Sequence, residues 1–195
     1  AWAMTVSEQA AKPPVGSGGA AGGSRRQWLT LGVAGAAAAA GAGLAWWRFS
    51  PRSADAQAGG RFWASEFEGL DGAPMGMAVF RGRPLLLNFW ATWCPPCVQE
   101  LPRLNAFHEA HKGDGWQVLG LAIDQLASVR KFLQRAPLAF PVALGGASGL
   151  TLVRDLGNPN GGLPFSVLFA ANGAIAQRKI GELSSDDLQQ WRASL

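Results

Sequence analysis

Only two cysteines and two histidines occur in 195 residues, and charged side chains make up just 15% of the chain. That scarcity excludes much chemistry. Attachment of a c-type haem requires Cys-x-x-Cys-His, and Val98 stands where the histidine would be. A zinc finger places about 12 residues between its cysteine and histidine pairs and about 3–5 between the histidines. Here ten residues separate Cys97 from His108, and two separate His108 from His111. No basic stripe is present to track phosphates. Residues 1–56 hold five bases (Lys12, Arg25, Arg26, Arg48, Arg52) and two acids (Glu8, Asp55), which leaves 12 bases and 11 acids, or +1, for residues 57–195. The overall +4 is therefore carried mostly by the N-terminal extension, and no nucleic-acid partner is expected. No internal repeat and no dimerisation domain is visible.

The remaining composition suits one domain: 48% of the residues are hydrophobic, enough for a real core, and the length accommodates about 100 to 150 folded residues plus an extension. Residues 1–23 are rich in Ala, Gly, Pro and Ser without hydrophobic period, and disorder is expected there. Residues 24–56 begin with Ser24-Arg25-Arg26-Gln27-Trp28-Leu29-Thr30, which resembles a twin-arginine export signal, although Trp28 and Thr30 depart from the commoner residues. An apolar stretch rich in Ala and Gly runs on to Trp47; it is long enough to span a bilayer, with Trp46, Trp47 and Arg48 as an interfacial belt. Pro51 should stop that helix, and Ala54-Asp55-Ala56 offers a small-x-small cleavage site before Gln57. A cleaved signal, by this or a Sec route, and an uncleaved membrane anchor both remain open; either delivers residues 57–195 outside the cytoplasm. Met4 also reads as a start.

The chemistry concentrates at Trp93-Cys94-Pro95-Pro96-Cys97. Leu85 to Trp93 reads as a buried strand leading into a turn, and Val98 to His111 as a helix, so Cys94 falls at a helix N-terminus. Unpaired N–H groups and the positive dipole end stabilise a thiolate there, which makes Cys94 the expected attacking thiol. Cys97, one turn inward, would resolve the mixed disulfide by attacking Cys94. Pro95 suits a first helical turn, where no N–H is needed. A purely structural disulfide across so short a loop would gain little entropy. Trp93 would cover the dithiol and offer a partner an apolar contact, Trp90 packs in the core, and His108 and His111 are expected at the surface.

The run Asn88-Phe89-Trp90-Ala91-Thr92-Trp93-Cys94-Pro95-Pro96-Cys97, continued by Glu100-Leu101-Pro102-Arg103-Leu104, resembles the TlpA/ResA-like branch of exported thiol-disulfide oxidoreductases in the thioredoxin superfamily, over about Phe67 to Gly181. The resemblance implies an α/β, thioredoxin-like fold: a central mixed β-sheet flanked by helices, with an added N-terminal β-hairpin. It also implies a substrate surface of Trp93, Pro95, Pro96, Leu163 and Pro164, the last a cis-proline facing the dithiol. Where thioredoxin has a buried aspartate this chain has Asn88, which cannot titrate. Glu100 falls where the branch carries an acidic residue, and in a partly apolar pocket its raised pKa would let it take the proton of Cys97.

Other elements follow from pattern. Phe67 to Phe80 reads as a hairpin turning at Asp71-Gly72, Gly115 to Ile123 as a buried strand, Ser128 to Arg135 as a helix and Ala139 to Leu144 as a short strand. Asn172-Gly173 joins two strands as a hairpin turn, and Ser184 caps a final helix. The expected function is exported reduction of protein disulfides, with no cofactor beyond the redox-active Cys94–Cys97 disulfide and no metal. By resemblance the clients are apocytochrome c or copper-site proteins, and a membrane thiol donor returns the electrons. The reducing direction also rests on the two prolines, which bring no cation to stabilise the Cys94 thiolate. A copper(I)-delivery module using the same sulfurs, or a thiol oxidase or isomerase, are the alternatives.

Overall fold

The computed structural model describes residues 51–195, together with helical Gly41 and Gly43. The disordered segment expected at 1–23, the arginine pair and, apart from Gly41 and Gly43, its apolar run lie outside the described residues. Among the described residues no helix is long and apolar enough to cross a membrane.

Among the described residues seven strands form one sheet: β1 (Glu66–Gly69), β2 (Pro74–Gly76), β3 (Leu85–Trp90), β4 (Gln117–Ala122), β5 (Val142–Leu144), β6 (Phe165–Phe169) and β7 (Ile175–Ile180), in the spatial order β2-β1-β5-β4-β3-β6-β7. β3 pairs with β4 in parallel, as does β4 with β5, while β6 runs antiparallel to β3 and β7 to β6. All six residues of β3 are buried, the signature of a central strand covered on both faces. The covering helices are α1 (Pro51–Ala64), α2 (Pro95–His111), α3 (Leu126–Leu133), α4 (Gly146–Asp155) and α5 (Ser185–Ala193).

Two apolar clusters fill the space on either face. One joins Phe62 and Trp63 of α1 and Leu152 and Val153 of α4 to Leu85, Leu87 and Phe89 of β3. The other joins Leu101, Leu104 and Phe107 of α2 and Leu188 and Trp191 of α5 to Leu86 and Trp90. Strand alternation thus sends successive β3 side chains to opposite faces, and Asn88, between Leu86 and Trp90 in this pattern, belongs with the α2 side.

The chain departs from the sequence expectation where glycine masks a helix. Gly59 and Gly60 interrupt α1, and α4 opens at Gly145-Gly146, so neither segment has the propensity that marks a helix. Burial supplies what propensity lacks. Phe62 stacks on Phe169 with centroids 4.7 Å apart, and Trp63 Nε1 donates to the Gly173 carbonyl at 2.8 Å. Pro51 begins α1, a position where its missing N–H costs nothing. The sequence boundary at residue 57 falls inside this helix, and Asp55 forms an ion pair with Arg178 of β7 at 2.5 Å. The hairpin strands are shorter than read, because Met77–Phe80 closes into a 3-10 turn instead of extending β2. At the C-terminus the Ser184 side chain accepts from the Asp187 N–H, and the Asp187 carboxylate accepts in return from the Ser184 N–H, a complete capping box.

Candidate active site

β3 ends at Trp90, and the chain turns sharply through residues 91–93 into α2. The Cys94 N–H donates to the Ala91 carbonyl at 3.3 Å, and the turn is pinned from outside. Both the Thr92 N–H and hydroxyl donate to Asp124 Oδ2, at 2.9 and 2.5 Å. Cys94 is the N-cap of α2: its sulfur accepts from the Cys97 N–H at 3.3 Å, and its carbonyl accepts from the Val98 N–H at 3.1 Å. Pro95 and Pro96 occupy the first helical turn without donors to satisfy. Helix α2 therefore begins at Pro95, the first-turn position expected for that proline, three residues ahead of the Val98–His111 stretch read as helix.

Cys94 and Cys97 are joined in a disulfide, with Cα atoms 5.3 Å apart. Cys94 retains 5% exposure and Cys97 none. Trp93 next to it is 65% exposed, a large apolar ring held at the surface. Pro95 and Pro96 are exposed as well.

Glu100 is fully buried, three residues beyond Cys97 on the same inner face of α2. Its Oε1 accepts from Asn88 Nδ2 at 2.6 Å and its Oε2 from the Leu183 N–H at 2.7 Å. Asn88 Nδ2 also donates to Ser166 Oγ at 3.0 Å, which ties the network to β6. Burial dominates the carboxyl and pushes its pKa up to about 7, against the Leu183 and Asn88 hydrogen bonds and the Arg103 charge that favour ionisation; Glu182 adds a smaller push upward. Arg103 in turn donates to Glu182 at 3.1 Å and to the Leu183 carbonyl.

Leu163-Pro164 is a cis peptide, and Pro164 directly precedes β6. The Pro164 carbonyl accepts from the Gly181 N–H at 2.8 Å, while Leu163 packs against the cluster that contains Cys94 and Cys97. The loop ahead of it is shaped by buried Asn158, whose Nδ2 donates to the Gly162 carbonyl at 2.7 Å. His111 lies beside Asp114 at 3.3 Å, and His108, set edge-on to Phe140, is more enclosed than a surface residue, with Nδ1 buried and unpartnered. Sequence reasoning overlooked Asp124, Asn158 and the Leu183 N–H. Asp124 follows a strand of apolar residues and carries no local mark of what it reaches; Leu183 acts through a backbone atom.

A Cys-x-x-Cys disulfide at the N-cap of a helix, between a central strand and a cis-proline loop, defines a thiol-disulfide oxidoreductase of thioredoxin-like fold. Residues 57–195 match the Redoxin family, and the chain belongs to it, within a TlpA/ResA-like branch. It is 31% identical over 123 residues to the thiol-disulfide oxidoreductase ResA of Bacillus anthracis, covering 63% of this chain and 69% of that protein. Sporulation thiol-disulfide oxidoreductase A of Bacillus subtilis is 29% identical over 115 residues, covering 57% and 67%. Among solved structures, the thioredoxin-related protein of Neisseria meningitidis serogroup B superposes with a TM-score of 0.60 at 28% identity, over 66% of this chain and 98% of that one. StoA of Bacillus subtilis gives 0.53 at 27%, over 66% and 95%.

Proposed function

We propose that this oxidoreductase works in the reducing direction on protein disulfides outside the cytoplasm. Glu100, a buried carboxyl poised near neutrality one turn beyond the buried cysteine, supplies the proton chemistry of the exchange, and the observation that carries the direction is the uncharged Pro95-Pro96 first turn of α2. In the reduced protein the Cys94 thiolate attacks one sulfur of the client disulfide; a Cys94–client bond forms and the other client sulfur leaves as a thiolate that takes up a proton. Cys97 then loses its proton to ionised Glu100 and attacks Cys94 Sγ, closing the internal disulfide and expelling the second client thiolate. Two electrons pass to the client. A membrane thiol donor supplies the next pair, because the outer compartment is oxidising.

Trp93, Pro95, Pro96 and the Leu163-Pro164 backbone form the client surface in this reading. The first turn of α2 supports the direction: it presents no cationic side chain to stabilise a Cys94 thiolate, and strong oxidants depend on such stabilisation. Export rests on the arginine pair and apolar run of residues 24–56, and the clients are apocytochrome c or the cysteines of a copper site, by the resemblance. The test is stopped-flow reduction of a disulfide-bonded protein by the reduced enzyme, followed across neutral pH. A rate that rises with pH through about 7 and tracks Glu100 supports the reading; a pH-independent rate overturns the role given to Glu100, and no reduction at all overturns the direction.

A further inference from the structure

Helix α2 has two flanks. On one, Arg103 reaches Glu182 and the Leu183 carbonyl near the cis-proline loop. On the other, Asn105 Oδ1 accepts from the Ala139 N–H at 2.6 Å, and a groove of about 360 Å³ opens between α2 and the chain from α3 to β5. Its walls are Val98, Pro102 and Asn105 on one side and Phe132, Ala136 and Leu138 on the other.

Three observations join this groove to the dithiol. Cys94, Val98, Pro102 and Asn105 follow one another at helical spacing, so the reactive sulfur and the groove wall share a single stripe of α2. Phe132 sits 5.4 Å from the ring of Trp90, the residue that ends β3 just before the dithiol turn. Pro102 has no N–H for the Val98 carbonyl, which leaves a backbone acceptor without its regular helical partner beside the groove. The α3 side of the groove is basic: residues 126–139 contain Arg130, Lys131 and Arg135 and no carboxylate. On the α2 side Glu100 is buried, and Glu109, the next residue of the stripe after Asn105, is held by Lys112. Arg130 is engaged with the Leu70 carbonyl, while Lys131 and Arg135 are exposed on either side of Phe132 and next to Ala136.

We propose that this groove receives the client polypeptide beside its reacting cysteine, taking an apolar side chain that is followed by a carboxylate. The apolar residue fills the space over Phe132 and Leu138; the carboxylate meets Lys131 and Arg135. The groove would then select among disulfides that Cys94 attacks with equal chemistry. This inference rests on the reductase reading, and its test separates the two.

The probes are two synthetic peptides closed by one disulfide, flanked by Leu-Asp in the first and Ser-Lys in the second, and a small aromatic disulfide that reports on the dithiol alone. The reduced wild-type protein should favour the Leu-Asp peptide by about tenfold in kcat/KM. Ala136→Glu and the pair Lys131→Glu with Arg135→Glu, all at exposed positions, should abolish that preference and leave reduction of the small disulfide unchanged. Equal rates for both peptides with the wild type, or an unaltered preference in the variants, overturn the groove and leave the reductase reading intact. Parallel loss with the small disulfide also overturns it, by placing the defect in the dithiol. Failure of the wild type to reduce any of the three overturns the reductase reading itself, and the groove with it. Dissociation of a dimer by Ala136→Glu in sedimentation would make a second copy of the chain the occupant and contradict the proposal.

Discussion

The Asn88 amide nitrogen, on the central strand, donates to Glu100 Oε1 on the dithiol helix at 2.6 Å, and both side chains are wholly buried. Burial raises the pKa of this carboxyl, and the Asn88 amide, donating to it, lowers it. The balance sets Glu100 to change protonation near neutrality.

Glu100→Gln removes the titration and retains most of the shape. Asn88 Oδ1 has no partner, so a flipped Asn88 can accept from the new amide while the glutamine oxygen keeps the Leu183 N–H. Resolution by Cys97 should slow by about a hundredfold at pH 8 and lose its rise through neutral pH, the lower end of what a positioned base contributes. Rapid-quench trapping of the mixed disulfide measures that step; an unchanged pH profile would remove Glu100 from it.

The same carboxyl makes stability depend on pH, with a definite sign. Its folded pKa of about 7 lies above the ordinary 4.5, so between these values the folded state holds more protons than the unfolded one. Stability should therefore be greatest below the lower value and fall as pH rises through the upper one, by on the order of 3 kcal/mol from this group. Urea melts of wild type and Glu100→Gln across that window check it: the gap should widen with pH in favour of the glutamine variant.

Asn88→Ala deletes a hydrogen bond that favours the ionised carboxyl, so the kinetic inflection should move above neutral pH. A pH–rate profile on the resolving step reads this directly. A downward or absent shift would mean that Asn88 does not govern Glu100.

Helix α1 should be integral to the domain. Phe62→Ala removes a fully buried ring stacked on Phe169 and should cost about 3–5 kcal/mol in urea unfolding. Beginning the chain at Gln57 instead of upstream of Pro51 removes the partly exposed Asp55–Arg178 pair, worth about 1 kcal/mol or less, along with the first turns of the helix. A melting temperature unaffected by either change would show α1 to be dispensable.

How much of this was legible in the sequence depends on distance along the chain. Leu85 to Trp90, the prolines at the start of α2 and the Asn172-Gly173 turn each announce themselves through residues a few positions apart. The Cys94 N-cap and the Cys97–Glu100 spacing are local too, so the place of the dithiol and of the neighbouring buried carboxyl was readable. Asn88 was readable only as the loss of a titrating group; its role as a donor depends on α2 crossing β3, which no local pattern reports. Asp124, 32 residues from Thr92, and the Leu183 N–H, 83 from Glu100, belong to the same class of long-range contact. Helices α1 and α4 escaped for a different reason, since their glycines suppress propensity and their stability comes from the sheet they cover.

The reducing role is tested most directly by the equilibrium reduction potential of the Cys94–Cys97 pair, titrated in thiol buffers with Cys94→Ser as the control. A reductase should show a value near or below about −270 mV, where the dithiol gives electrons to a client disulfide. A value near about −120 mV would contradict that role, because a disulfide so readily reduced would take electrons from clients instead.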